Sequence, residues 1–326
     1  MLNYIIRRFF SYIPLFIGIT LLSFLIIKLA PGGPEMMMGF GSPRVDPQMR
    51  EKLKKVYGLD KPVLIQYLNW LKNIATLNFG VSFQDGEKVI KKIFQRLPAT
   101  VLLNVCSIFL IFLIAIPIGV YSAEKHNSFF DRFFTVFVFL GFSVPTYWLA
   151  LILMDIFGVR FGILPVSGMV SFGWENFSFL KKILDLIWHL ILPVFISAFT
   201  SLASLTRYVK AEMLEVLSQD FILSAKARGI PEKEILWKHA FRNALLPVAT
   251  IAGLMLPSLI GGAVIFETIF SWPGVGRLMW QAVMARDYPL IMGNGVFITI
   301  LTLLGNFLAD ISYAYLDPRI RYGNEK

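Results

Sequence analysis

The chain is poor in the side chains that most chemistry needs. Its 326 residues include one cysteine, Cys106, and three histidines, His126, His189 and His239. A lone cysteine closes no internal disulfide, and its apolar surroundings suit a small buried hydrophobe. Neither a paired-cysteine spacing nor H-E-x-x-H occurs, so the sequence supports no metal site and no catalytic triad. No glycine is followed by lysine, which excludes the phosphate-cradling G-x-x-x-x-G-K-[ST] loop. We therefore expect no cofactor, no metal and no catalytic residue. Charge is scarce as well. Only 16% of residues are Asp, Glu, Lys or Arg, against about 25% in soluble domains.

What fills the chain instead is apolar: 56% hydrophobic and 15% aromatic residues, with a mean hydropathy of +0.66. That composition belongs to a membrane protein. The net charge of +10 is scattered between apolar blocks rather than gathered in one domain. Such scatter records membrane orientation, and no nucleic-acid partner is expected. Six stretches reach the roughly 20 residues needed to cross a bilayer. They are Phe9–Ala30, Thr100–Ala123, Phe133–Phe157, Ile183–Thr206, Ala244–Phe266 and Leu290–Ser312. Arg7-Arg8 hints at a twin-arginine signal. The first apolar run is too long for one, however, and "KLAPGG" offers no A-x-A cleavage site, so it reads as a retained helix.

Lys and Arg in the short segments set the orientation. Fourteen fall in the N-terminus, the 124–132 loop, the 207–243 segment and the C-terminus, against five (Arg160, Lys181, Lys182, Arg277, Arg286) in the opposite loops. Both termini are thus expected in the cytoplasm. Residues 31–99 hold eleven Lys and Arg on the outside, which segments longer than about 60 residues tolerate. They read as a folded extracellular insertion with two short amphipathic helices, the second starting at Pro62 with Asp60 as its cap. Lys28, Asp155, Glu267 and Asp310 fall near span ends, where snorkelling explains a charge. Charges at the ends weigh against an ion-coupled secondary transporter, the rival class. Pro117, Pro145, Pro193 and Pro257 read as kinks, and His189 beside Trp188 as an interfacial residue.

One stretch stands apart. "SQDFILSAKARGIPEKEILWKHAFRNALLP", Ser218 to Pro247, is charged and broken by Gly-Ile-Pro between two apolar blocks. Met213, Val216, Leu217, Phe221 and Ala225 recur at helical spacing. Gly229 suits the left-handed residue that ends a helix. Pro231 then opens a second helix, with Glu232 and Glu234 in its first turn and Lys238, His239 and Arg242 in its last, the order the helix dipole favours. Residue pattern alone leaves two readings open. The stretch is either a solvated linker or a docking surface whose small residues, Ala225, Ala227 and Gly229, admit another protein's backbone.

The stretch resembles the coupling, or EAA, loop of the membrane subunits of ATP-binding-cassette importers. Leu223-Ser224-Ala225 stands in the E-A-A place, Gly229 is the glycine and Leu246-Pro247 closes the motif. The motif's Glu is absent, so no role tied to it is carried over. More narrowly, the chain resembles the first permease subunit of the oligopeptide/dipeptide importers. "IIRRFFSYIPLFIGITLLSFLIIKLAPGGP", "GLDKPVLIQYLNWLKNI" with "FGVSF", "RLPATVLL", "VIFETIFSWPGVGRLMWQAVMARDYPLI" and "AYLDPRIR" occur in the family's order.

That resemblance implies an all-α integral membrane protein with the type I importer permease fold: six transmembrane helices and a folded extracellular insertion between the first two. The expected organisation is a cytoplasmic N-terminus and first helix over 1–30, the insertion over 31–99, a five-helix core over 100–316 containing the coupling loop at 207–243, and a cytoplasmic tail over 317–326. The implied ATPase-coupling residues are Asp220, Ser224, Ala225, Lys226, Arg228, Gly229, Glu232, Leu246 and Pro247. Implied partners are a homologous second permease, two cytoplasmic ATPase subunits, an extracellular or lipid-anchored solute-binding protein, and membrane lipid. The implied location is a prokaryotic cell membrane. The implied cargo is oligopeptides or dipeptides, with oligosaccharides, nickel complexes and glutathione as alternatives within the family.

Overall fold

A computed structural model describes residues 2–29, 60–259 and 262–316. The first of the two amphipathic helices expected in the insertion and the tail over 317–326 lie outside them. Among the described residues the chain is helical, with a single isolated bridge between Val81 and Lys88. In order come α1 (Leu2–Leu29), α2 (Val63–Ala75), α3 (Val89–Glu124), α4 (Phe129–Ser143), α5 (Thr146–Leu153), α6 (Phe179–Leu217) and α7 (Asp220–Ala227). Then follow α8 (Phe241–Met255), α9 (Val264–Ile269), α10 (Val275–Met284) and α11 (Tyr288–Leu316).

Among the described residues four helices, α1, α3, α6 and α11, are long and apolar enough to cross a membrane. They coincide with the first, second, fourth and sixth expected spans, and α3 and α6 overrun theirs the most. The 36 residues of α3 and 39 of α6 extend about 54 and 58 Å at 1.5 Å per residue, against roughly 30 Å of hydrocarbon. The other two expected spans are not single helices. Phe133–Phe157 breaks at Pro145, which has no N–H to donate and drives Val144 out of the helical region. Pro145 instead heads the eight-residue α5, which runs on into a π-helical turn over Met154–Arg160. Ala244–Phe266 breaks at a 3₁₀ turn, Leu256–Leu259, that contains Pro257, and Gly262 beyond it takes φ +69°.

Two compact units divide the chain. One comprises Ala99–Leu259 and Ile265–Pro273. Its largest core joins Ile111, Ala115 and Val120 of α3 to Leu202, Leu205, Val209 and Met213 of α6 and Ala244 and Val248 of α8. The backbones of α3 and α6 approach closely at Gly119, where a Cβ would sit 2.7 Å from Val209 Cβ and 2.9 Å from Thr206 O. Only glycine fits there. Two family-like motifs meet in this unit: Thr100 donates to Glu267 Oε1 at 2.9 Å, and Trp272 Nε1 donates to Ala99 O at 2.8 Å. Glu267 is fully buried, not the boundary charge its sequence position suggested. His189 is likewise buried, not interfacial, its Nδ1 2.8 Å from Asp185 O.

The described parts of Met1–Pro98, Ile260–Val264 and Gly274–Lys326 form the other unit. Here α1 packs on α11 through Phe9, Tyr12 and Phe307, and Tyr12 Oη donates to Asp310 Oδ2 at 2.6 Å. Arg8 lies 3.4 Å from the same carboxylate. Pro62 itself occupies the position preceding α2, without a side-chain cap, so Asp60 does not cap this helix. Tyr67 and Trp70 of α2 stack with Phe24 of α1, and Lys28 Nζ donates to Gln66 Oε1 at 3.1 Å.

Two of the family-like motifs also interlock through Asp287, which is wholly buried. Ser82 donates its hydroxyl to Asp287 Oδ2, and the Phe83 N–H reaches Oδ1 at 3.1 Å. Lys92 in turn donates to Ser82 Oγ at 3.2 Å and lies 2.7 Å from Asp85, whose carboxyl it holds below the ordinary carboxylate range. Asp287→Ala removes the acceptor of the Ser82 hydroxyl and of the Phe83 and Leu290 N–H groups, at a cost of about 2–3 kcal/mol. Tryptic cleavage around Lys88–Lys92 is expected to accelerate by one to two orders of magnitude. Asp85→Ala, at an exposed carboxylate, should change it less than threefold. Equal rates in Asp287→Ala and the parent would show that the motifs do not depend on this contact.

Candidate functional site

The charged stretch is built from the end of α6 onward, wholly within one unit. Leu217 closes α6, and the Ser218 hydroxyl folds back on Glu215 O at 2.7 Å. Gln219 turns extended, with φ −79° and ψ 151°, so the expected continuous apolar repeat through Ala225 is two helices, not one. Ser224 of α7 bonds Asp220 O at 2.9 Å, one turn back. The helix then ends as its sequence dictates. Gly229 has φ +73°, and its N–H meets Lys226 O at 2.9 Å while the Ile230 N–H reaches Ala225 O at 3.3 Å. This is the paired pattern of a Schellman cap, in which a left-handed glycine follows the last helical residues.

The two faces of α7 differ sharply. Ile222 and Ala225 are 1% exposed and belong to the same apolar core as Met213, Val216, Ile235 and Leu236. Burying Ile222 alone is worth about 1.5–3 kcal/mol. On the outer face Leu223 is 69% and Phe221 38% exposed, and Asp220, Ser224, Lys226, Ala227, Arg228 and Gly229 are exposed beside them. A Cβ on Gly229 would meet nothing within 4 Å. The turn is therefore open to an incoming surface. Ala225, expected among the small residues of that surface, faces the core instead.

Pro231 precedes the next helix, as its fixed φ allows. A turn over Glu232–Glu234 runs through a π-helical stretch, Ile235–Ala240, into α8 without interruption. Lys238 and Arg242 therefore do not end a helix, which continues to Met255. Lys238 lies 2.9 Å from Glu234 and holds its carboxyl below the ordinary range. Lys226 and Glu232 meet Glu124 and Leu217 around a small recess of about 140 Å³. Asp220, Ser224, Lys226, Arg228, Gly229 and Glu232 thus share one exposed end of the unit. Leu246 and Pro247 do not join them, lying roughly 20 Å further along the helix at 1.5 Å per residue; Pro247 is half-buried inside α8.

Sequence reasoning missed three features of the site. Leu223 served only to fill the E-A-A place, although an exposed leucine off the buried Ile222–Ala225 line is itself a signal. Trp237 stacks edge-on against Tyr121 of α3 and Phe241 of α8. Asp131 of α4 takes Lys210 of α6 on Oδ1 and the Asn127 N–H at 3.0 Å on Oδ2. Burial opposes its charge, yet Lys210 and that N–H hold its carboxyl below the ordinary carboxylate range.

Known proteins place this arrangement in context. Residues 115–322 match the family described as binding-protein-dependent transport system inner membrane component. Residues 1–104 match the corresponding N-terminal membrane component. The chain is 45% identical over 323 residues to an oligopeptide transport system permease protein of Bacillus subtilis, covering 99% of this chain and all of the relative. It is 38% identical to a di/tripeptide transport system permease protein of Pseudomonas aeruginosa and 35% identical to a dipeptide transport system permease protein of Escherichia coli, covering 99% of each chain in both cases. With its four candidate spans, the chain is a multi-pass membrane protein, and it belongs to the binding-protein-dependent transport system inner membrane component family.

Proposed function

We propose that this chain is the permease subunit forming half of the translocation pore of an ATP-driven importer of oligopeptides or dipeptides. End-to-end similarity to permeases named for oligopeptide, di/tripeptide and dipeptide transport supports the substrate class. A homologous permease supplies the other half of the pore, and a solute-binding protein outside delivers the peptide. Two cytoplasmic ATPase subunits hydrolyse ATP and dock on the α7 turn. The single observation that carries the coupling role is the two-faced α7, with Ile222 and Ala225 locked into the spanning bundle and Leu223, Arg228 and Gly229 turned outward. Force on the outer face reaches α6 and α8 through that buried face, and α6 carries it as one 39-residue helix.

Both termini and the α7 turn face the cytoplasm in this reading. The third crossing is made by α4 and α5 and the fifth by α8 and the turn after it, giving six crossings in a bilayer of the cell membrane. Residues 31–99 form the extracellular insertion. In a Cys106→Ala background, cysteines replacing exposed Gln84 and Asn176 are expected to react with an impermeant thiol reagent outside intact cells. A cysteine replacing Ser218 should react only after the membrane is opened. Labelling of position 218 from outside would overturn the orientation and the docking role together.

Gly229→Asp probes the docking itself. The left-handed backbone disfavours any side chain by roughly 1 kcal/mol, yet no neighbour obstructs a Cβ. Folding and pairing with the second permease should therefore survive, while co-purification of the ATPases drops at least tenfold and peptide import is lost. Arg228→Glu should do the same more mildly, and Lys125→Glu on the neighbouring loop should leave association within twofold. Normal import by Gly229→Asp would make the stretch a solvated linker.

A further inference from the structure

A second cavity is lined by none of the residues of the α7 turn. It has a volume of about 350 Å³ and opens between the end of α3, the start of α4 and the last turns of α6. Small-molecule sites typically occupy about 300–1,000 Å³. Its lining is mainly apolar, with a few basic and hydroxyl groups. Phe134, Val138 and Leu214 are among its apolar lining residues, and His126, Arg207 and Lys210 line it as well. Two further lining residues, Ser122 and Thr206, are 2% and 4% exposed. Among the described residues neither hydroxyl has a hydrogen-bond partner. A buried hydroxyl without a partner costs about 1–3 kcal/mol, and the pair shares one cavity.

The position of these groups along the helices narrows the ligand. Thr206 ends the apolar run of α6 and Arg207 is the first charge after it, while Ser122 lies two residues before the end of α3. Hydroxyls and cations therefore sit where hydrocarbon gives way to water, the depth of lipid phosphates. Asp131 occupies part of Lys210, but an ammonium keeps further donors, and the exposed Arg207 carries a five-donor guanidinium. We propose that this cavity binds one anionic phospholipid, its phosphate held by Arg207, Lys210, Ser122 and Thr206 and its proximal acyl chain lying along Phe134, Val138 and Leu214. A basic pocket between spanning helices is a recurrent way of holding such a headgroup.

The test uses the assembled transporter in lipid nanodiscs and needs no transport reading. Photoreactive phosphatidylglycerol is expected to cross-link to peptides covering 122–138 and 206–214 at least tenfold more than photoreactive phosphatidylcholine. Thr206→Val and Arg207→Gln should each lower that labelling about tenfold, and Lys125→Gln should not. Millimolar glycerol 3-phosphate, which shares the phosphate but has no acyl chain, should fail to compete. Equal labelling by the two lipids, or displacement by glycerol phosphate, overturns the proposal. So does the absence of labelling, which would leave the cavity covered by another protein chain. If a variant fails to assemble, the comparison of lipids on the parent protein decides by itself.

Discussion

The seating of Ile222 and Ala225 in the core shared by α3, α6 and α8 is the contact on which the functional reading depends. A charged segment between two apolar blocks gains nothing by packing against a membrane bundle unless its position matters. Here one short helix spends its only two inward side chains on that packing, with a left-handed glycine directly behind them. The result is a rigid attachment with an open outer face. Truncating Ile222 to Ala would cost about 2–5 kcal/mol and leave α7 loosely held. The outer residues could change with far less effect on the fold.

The same economy holds elsewhere. Asp287 joins two segments 205 residues apart, and Glu267 with Thr100 joins two others 167 residues apart. In both, a wholly buried carboxylate accepts from a hydroxyl, and Asp287 accepts from a backbone N–H as well. A buried charge so held is costly to disturb. It fixes segments distant in the chain at places where apolar packing against lipid gives little positional information.

Local chemistry explains what could be read from the sequence. Gly229 and Pro231 announce the turn because their backbone limits are intrinsic. Four of the spans are legible because twenty apolar residues have few alternatives. The limits have physical causes too. Periodicity through Phe221 and Ala225 concealed the break at Ser218–Gln219, since two short helices in succession preserve much of the spacing of one. Pro145 and Pro257 read as kinks in the sequence, yet each follows a helix end, a difference decided by what lies downstream rather than by the proline. The burial of Ala225, Glu267 and His189 depends on partners distant in sequence, and no pattern along one helix reports it. Among the implied coupling residues, the compact group from Asp220 to Glu232 is a local feature of one turn. Leu246 and Pro247 lie well down α8 and belong to the bundle.

The central claim, that the outer face of α7 is where the ATPases dock, is tested most directly by site-specific photo-cross-linking. A photoreactive phenylalanine analogue would replace exposed Leu223 in the assembled transporter, with exposed Leu113 of α3 as the comparison site. The account predicts an adduct between this chain and an ATPase subunit from position 223 and none from position 113. Adducts from position 223 to lipid or to the second permease alone would contradict it.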